Sequence, residues 1–343
     1  MIGDEKLKFL DIHLQFILNN VINNLFRSCN MSSAWVFPGQ GSQSTGMGQE
    51  LAENFKEAAH VFEEINDALG EKLTDIMWGE DEDALTLTQN AQPAIMAVSL
   101  ATIAVLEKQF GFKMEDIPAV AGHSLGEYSA LAAVKSMTIA DTAKLLRLRG
   151  QSMQAAVPVG TGAMAAILGG DIELIEKIAV NASEDQVCDV ANDNADGQIV
   201  ISGHKQAVER AMELAKEEGI KRAVLLPVSA PFHCQLMQPA QEVMQKALSE
   251  TNISIPIAPI YANVIADKIS DVDEIRARLV EQVTGRVRWR ESIKKMHSDG
   301  LTGLVEVGHG KVLSGMVRRI EKEMSATPLN SIKAIEEFAA QNA

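Results

Sequence analysis

Apolar and polar positions along the chain change period from segment to segment. Ala34-Trp35-Val36-Phe37 is a short apolar run that reads as a buried strand, and a Gly/Gln/Ser loop follows from Pro38 to Gly48. Helical spacing then carries most of the chain up to Ile117. Within it, Pro93 to Leu106 is apolar but broken by Ser99 and Thr102, so it reads as a buried core helix rather than a bilayer span. Ile117 to Ala121 predicts a second short strand, which ends in the tight Gly122-His123-Ser124-Leu125-Gly126 before small and apolar residues of helical type. The next helix, Ile139 to Ala156, sets Leu145, Leu146, Arg149 and Met153 on one stripe by spacings of three and four.

From Gly160 to Val228 the texture changes. Ala163–Leu168, Val187–Ala191, Ile199–Ser202 and Arg222–Val228 read as strands, and Ile172–Asn181 and Lys205–Glu218 as helices. The order βαββαβ is ferredoxin-like. We therefore expect an α/β fold in which 31–158 and 229–343 form an α/β-hydrolase-like catalytic domain and 159–228 an inserted ferredoxin-like subdomain. Ile257–Asn263 and Leu301–Val307 are further strands of the larger part, with helices at Val272–Val283 and Trp289–His297. Residues 1–30 are Asn-rich and mix acids with bases. They fit neither a signal peptide nor a transit peptide, so we expect an appendage, with folding starting near Met31.

Charge narrows the function. The 343 residues carry 31 Lys plus Arg against 46 Asp plus Glu, a net of −15, which is the wrong field for a generic nucleic-acid binder. No membrane partner is expected either. Cys29, Cys188 and Cys234 are odd in number and far apart, as expected of reduced thiols in a cytoplasmic protein.

Gly122-His123-Ser124-Leu125-Gly126 has the G-x-S-x-G form, in which glycines let a strand turn sharply into a helix and leave the serine hydroxyl exposed. A serine nucleophile needs a base, and seven histidines compete. His13 lies in the extension, His60 and His297 in polar helical stretches, and His123 points away from its neighbour. Of His204, His233 and His309, His233 follows a proline-held turn and leads; His309, after the last predicted strand, is its rival. Arg149 is the anomaly, a permanent cation on an apolar stripe, which burial makes costly unless an anion meets it. It is either a structural ion pair or a clamp for a substrate carboxylate. The Pro38–Gln43 loop lacks both the lysine of a P-loop and the glycine spacing of a dinucleotide site.

Six segments in order carry a resemblance: Pro38-Gly39-Gln40-Gly41-Ser42-Gln43, Gly122 through Ser129, Arg149-Gly150, Gly160-Thr161-Gly162-Ala163-Met164, Ser229-Ala230-Pro231-Phe232-His233, and Glu306-Val307-Gly308. From Met31 onward the chain resembles the malonyl-CoA:acyl carrier protein transacylases of bacterial type II fatty-acid synthesis. The resemblance implies that Ser124 attacks malonyl-CoA, that His233 takes its proton, and that the backbone carbonyl of Gln282 orients the imidazole. It places oxyanion donors on the amides of Gln40 and Leu125 and the malonyl carboxylate on Arg149. Asn192 and Asn194, in a loop of the small subdomain, match polar positions facing the family's active site, and Phe232 and Leu125 resemble malonyl-selective members. His309 departs from the proline usual there, and we expect it to be structural.

The implied reaction is ping-pong, with a holo acyl carrier protein as acceptor and a coenzyme A thioester as donor. No bound cofactor or metal is expected, and monomer is the default. An acidic carrier would need a basic landing surface, for which the run from Arg276 to Lys322 is the candidate. A serine thioesterase, a polyketide acyltransferase and an inactive carrier-binding scaffold remain as alternatives.

Overall fold

The computed structural model describes residues 32–228 and 230–342. The expected appendage 1–30, with His13 and Cys29, and Ser229 lie outside the described residues. Among the described residues ten strands form two sheets: β1 (Ser33–Phe37), β2 (Val120–Gly122), β3 (Gly162–Leu168), β4 (Cys188–Ala195), β5 (Gln198–His204), β6 (Arg222–Leu225), β7 (Ile260–Ala262), β8 (Asp267–Ile269), β9 (Gly303–Val307) and β10 (Ser325–Leu329).

The larger sheet has the order β10-β9-β1-β2-β7-β8, parallel except for the β7–β8 hairpin. β1 lies at its centre and all five of its residues are buried. Alternation along it divides the core: Trp35 and Phe37 face one apolar cluster, and Ala34 and Val36 face another on the opposite side. Helices cover both faces, as a sheet buried on both sides requires. Thr88–Gln109 belongs to the first cluster, and Trp289–Ser298 and Val312–Ile320 to the second. At 22 residues Thr88–Gln109 is longer than its apolar run suggested, and it is long and apolar enough to cross a membrane; here it is a core helix, 89% buried over its most apolar window.

The smaller sheet has the order β4-β5-β3-β6, with all neighbours antiparallel. Helices Ile172–Ser183 and Lys205–Glu217 pack on it through a separate apolar cluster. This is the ferredoxin-like arrangement expected from the strand and helix order. The small sheet meets the larger part of the fold at β4, against the segment that leads into the helix Trp289–Ser298. The Asp193 amide of β4 donates to the Val287 carbonyl at 2.9 Å, and the Val287 amide donates to Ala191 at 2.8 Å.

Three local expectations change. β2 starts at Val120, because Pro118, in the approach, has no amide hydrogen to add to a ladder. β6 ends at Leu225, two residues before Pro227, which has no amide hydrogen to add to a ladder. Asn192 and Asn194, expected in a loop, lie on β4. The polar Asn-Asp-Asn run can be strand because irregularities between Val190 and Asn192 and between Asp193 and Ala195 relax the register. The fully buried Asp193 is held by Arg290 at 2.9 Å.

Candidate active site

Ser124 sits between β2 and the helix Gly126–Ala133 with φ of 54°, a left-handed conformation that costs a non-glycine residue energy. The flanking glycines make the turn possible. A Cβ on Gly122 would fall 1.8 Å from the Gly126 carbonyl carbon, and one on Gly126 would fall 2.2 Å from the Phe37 oxygen. Asn263, just past β7, holds the turn from below: its Oδ1 accepts from the Ser124 amide at 2.8 Å and its Nδ2 donates to the Gly122 carbonyl at 2.7 Å.

The Ser124 Oγ lies 2.8 Å from His233 Nε2. On the other side of the ring, His233 Nδ1 is 2.9 Å from the Gln282 carbonyl and 3.1 Å from that of Gly285. Two carbonyl acceptors fix the proton on Nδ1 and leave Nε2 free to accept from the serine. Burial, and then the positive charge of Arg149, push the imidazole down to about 3, so it is neutral at ordinary pH. Among the described residues no carboxylate bonds to this pair, and backbone oxygens occupy the third position.

Arg149 is 1% exposed. Its Nη1 donates to Gln92 Oε1 at 2.7 Å, and its Nη2 to Gln282 Oε1 at 2.9 Å and to Ser124 Oγ at 3.2 Å. The Tyr128 ring lies under the guanidinium, 5.6 Å from centroid to Cζ. Its hydrogen-bond acceptors among the described residues are neutral, and Nε has no hydrogen-bond partner there. The cation is thus buried beside the serine, with no carboxylate bonded to it among the described residues. A group ending in an anion would complete it.

The amides of Gln40 and Leu125 donate to no acceptor among the described residues. Both residues line the cavity of about 410 Å³ that contains Ser124, Arg149 and His233, and Phe232, Asn192 and Asn194 line it as well. Asn194 Oδ1 takes the His123 ring nitrogen at 2.8 Å, and the same ring meets Trp289 edge-on at 5.6 Å. His123 is thereby held by Asn194 and Trp289, while His233 is the imidazole bonded to the serine. His309 is elsewhere: its Nε2 is 2.8 Å from Ser44 Oγ, bracing the Pro38–Gly48 loop.

The sequence reading missed Gln92, Glu127, Asn263 and the Gly285 carbonyl. Each reaches the site through a partner far away in sequence. The basic run also looks different in three dimensions. Arg278, Arg286, Arg288, Arg290, Lys294 and Lys295 are all in ion pairs with nearby carboxylates. Arg276 donates to the Thr251 carbonyl and Arg319 to Gln198. Lys311, Arg318 and Lys322 form no ion pair among the described residues.

Residues 34–334 match the family profile described as the acyl transferase domain, so the serine turn and its histidine belong to an acyltransferase. The malonyl CoA-acyl carrier protein transacylase of Bacillus subtilis (strain 168) is 44% identical over 306 residues, covering 88% of this chain and 95% of that protein. A crystal structure of acyl-carrier-protein-S-malonyltransferase from Bartonella henselae is 52% identical, with a TM-score of 0.88 over 91% of this chain and 99% of that one. A structure of a malonyl-transacylase in complex with its type II PKS acyl-carrier protein is 38% identical, with a TM-score of 0.87 over 90% and 99%. The chain belongs to the malonyl CoA-acyl carrier protein transacylase family.

Proposed function

We propose that this enzyme moves a malonyl group from malonyl-CoA to the phosphopantetheine thiol of an acyl carrier protein, in fatty-acid synthesis, through a malonyl ester on Ser124. The observation that carries the reading is Arg149. A buried cation 3.2 Å from the serine oxygen, bonded only to neutral acceptors among the described residues, selects an acyl group whose far end is a carboxylate.

In the first half-reaction the Ser124 hydroxyl gives its proton to His233 Nε2 as its oxygen bonds to the thioester carbon. The resulting oxyanion is met by the amides of Gln40 and Leu125, which have no other acceptor among the described residues. Collapse breaks the carbon–sulfur bond, and the proton on His233 passes to the coenzyme A sulfur. The carrier thiol then gives its proton to His233, attacks the ester, and returns Ser124 to its starting state. The Gln282 carbonyl, with that of Gly285, steadies the imidazolium formed in each half. The malonyl carboxylate acts on the base as well, because it offsets the Arg149 charge that holds His233 low.

Asn192, Asn194 and Phe232 line the walls that shape the acyl and pantetheine path, Asn194 acting partly by fixing His123. We further propose that 31–158 and 229–343 form the catalytic body and 159–228 a subdomain closing one wall. The enzyme acts as a cytoplasmic monomer that needs neither nucleic acid nor membrane. The charge of −15 and the buried, free Cys188 and Cys234 support that setting.

Initial rates with malonyl-CoA and a phosphopantetheine-loaded carrier protein test the proposal. Parallel double-reciprocal lines, with malonyl appearing on the carrier, are expected. Release of free malonate at the same rate without a carrier would make the enzyme a thioesterase instead.

A further inference from the structure

Glu127 is 2% exposed and lies behind Ser124 on the helix that the serine opens. A single oxygen of it, Oε2, accepts two N–H donors: the Gln282 side-chain amide at 2.8 Å and the Asn263 backbone amide at 3.1 Å. Both donors belong to residues that hold the reacting groups. Gln282 carries the carbonyl that orients His233, and with its Nε2 held by Glu127 and by the Ser124 carbonyl at 3.0 Å, its Oε1 is turned to Arg149. Asn263 accepts from the Ser124 amide and donates to the Gly122 carbonyl. Nucleophile, base and carboxylate clamp therefore all hang from one buried oxygen.

We propose that Glu127 is a positioning residue for the transfer reaction, which fixes the direction of the Gln282 amide and the seat of Asn263 and so sets Ser124, His233 and Arg149 in register. The proposal rests on the function given above. An amide side chain has chemically distinct ends, and the Glu127 acceptor, together with the Ser124 carbonyl, holds the Nε2 end of Gln282 away from Arg149 so that Oε1 faces it. Burial raises the Glu127 carboxyl to about 7, but Oε2 can accept in either protonation state, so the role is that of an acceptor and not of a fixed charge.

Two variants of similar length separate the roles. Glu127→Gln keeps a carbonyl acceptor, whereas Glu127→Met fills the space with only a weak one. With both variants folded by thermal melting, Glu127→Gln is expected to keep kcat within about threefold. Glu127→Met should lose about a hundredfold in kcat and about tenfold in its preference for malonyl-CoA over acetyl-CoA. A Met variant with parental kcat and preference would make Glu127 a space filler and overturn the proposal, as would equal losses in both variants. If the Met variant does not fold, Gln282→Met probes the same contact from its other end. Loss of malonyl preference is expected there, and parental preference would overturn the proposal. A parent enzyme that takes no malonyl from malonyl-CoA would instead remove the function itself, and this proposal with it.

Discussion

At the residue scale, the two features that stood out in the sequence are adjacent in space. Ser124 was legible because glycines break the strand period on either side of it, and Arg149 because a permanent charge interrupts an apolar stripe. Their supporting residues were not legible. Glu127 and Gln92 are ordinary polar residues in helices, and Asn263 closes an unremarkable strand; their partners lie 57 residues away for Gln92 with Arg149 and 136 for Asn263 with Glu127. Nothing local marks such a contact. Arg149→Ala should lose about 2–3 kcal/mol of transition-state binding for malonyl-CoA, roughly a hundredfold in kcat/KM, with little loss for acetyl-CoA. The acid limb of kcat/KM should lie well below the ordinary histidine value of 6.5, because catalysis needs neutral His233 and its proton binds only as pH approaches about 3. Since a bound malonyl carboxylate offsets Arg149, the acid limb of kcat should lie higher than that of kcat/KM. Coincident limbs near 6.5 would show that the imidazole is not depressed in the free enzyme.

At the element scale, the serine turn works because β1, β2 and the following helix approach at backbone distance. Gly126→Ala would press a methyl group into the Phe37 carbonyl, and we expect little soluble protein from it, measured as yield against the parent. The ferredoxin-like order was readable from alternating helical and strand periods between 160 and 228. The strand status of Asn192 and Asn194 was not, because their composition is that of a turn and their placement depends on Val287, just before the helix Trp289–Ser298, and on Arg290 within it. Asp193→Ala removes the Arg290 ion pair and should lower stability by about 2 kcal/mol, read as a fall in melting temperature. His309 lay open as a rival base because position after a late strand cannot tell bracing from catalysis. Its bond to Ser44 makes it a brace, so His309→Ala should leave Ser124 acylation within about threefold, at a cost near 1 kcal/mol in stability.

At the scale of the whole molecule, a net charge of −15 would repel an acidic carrier, so the proposed transfer calls for a locally basic landing surface. Most of the basic run seen in the sequence is consumed by ion pairs within the fold, a fact of tertiary structure that charge counting cannot reach. Arg318 and Lys322, exposed near the end of the helix Val312–Ile320, form no ion pair among the described residues and are the charges we propose for carrier docking. Reversing both charges should raise KM for the carrier by about fivefold and leave that for malonyl-CoA unchanged. Equal changes in both would point to a distorted active site. The central claim, that Ser124 carries the acyl group and Arg149 selects it, is tested most directly by intact-protein mass after brief exposure to malonyl-CoA or acetyl-CoA. We expect a malonyl adduct on the parent, none on Ser124→Ala, and no preference for malonyl on Arg149→Ala. An adduct that survives in Ser124→Ala, or malonyl preference that survives in Arg149→Ala, would contradict the account.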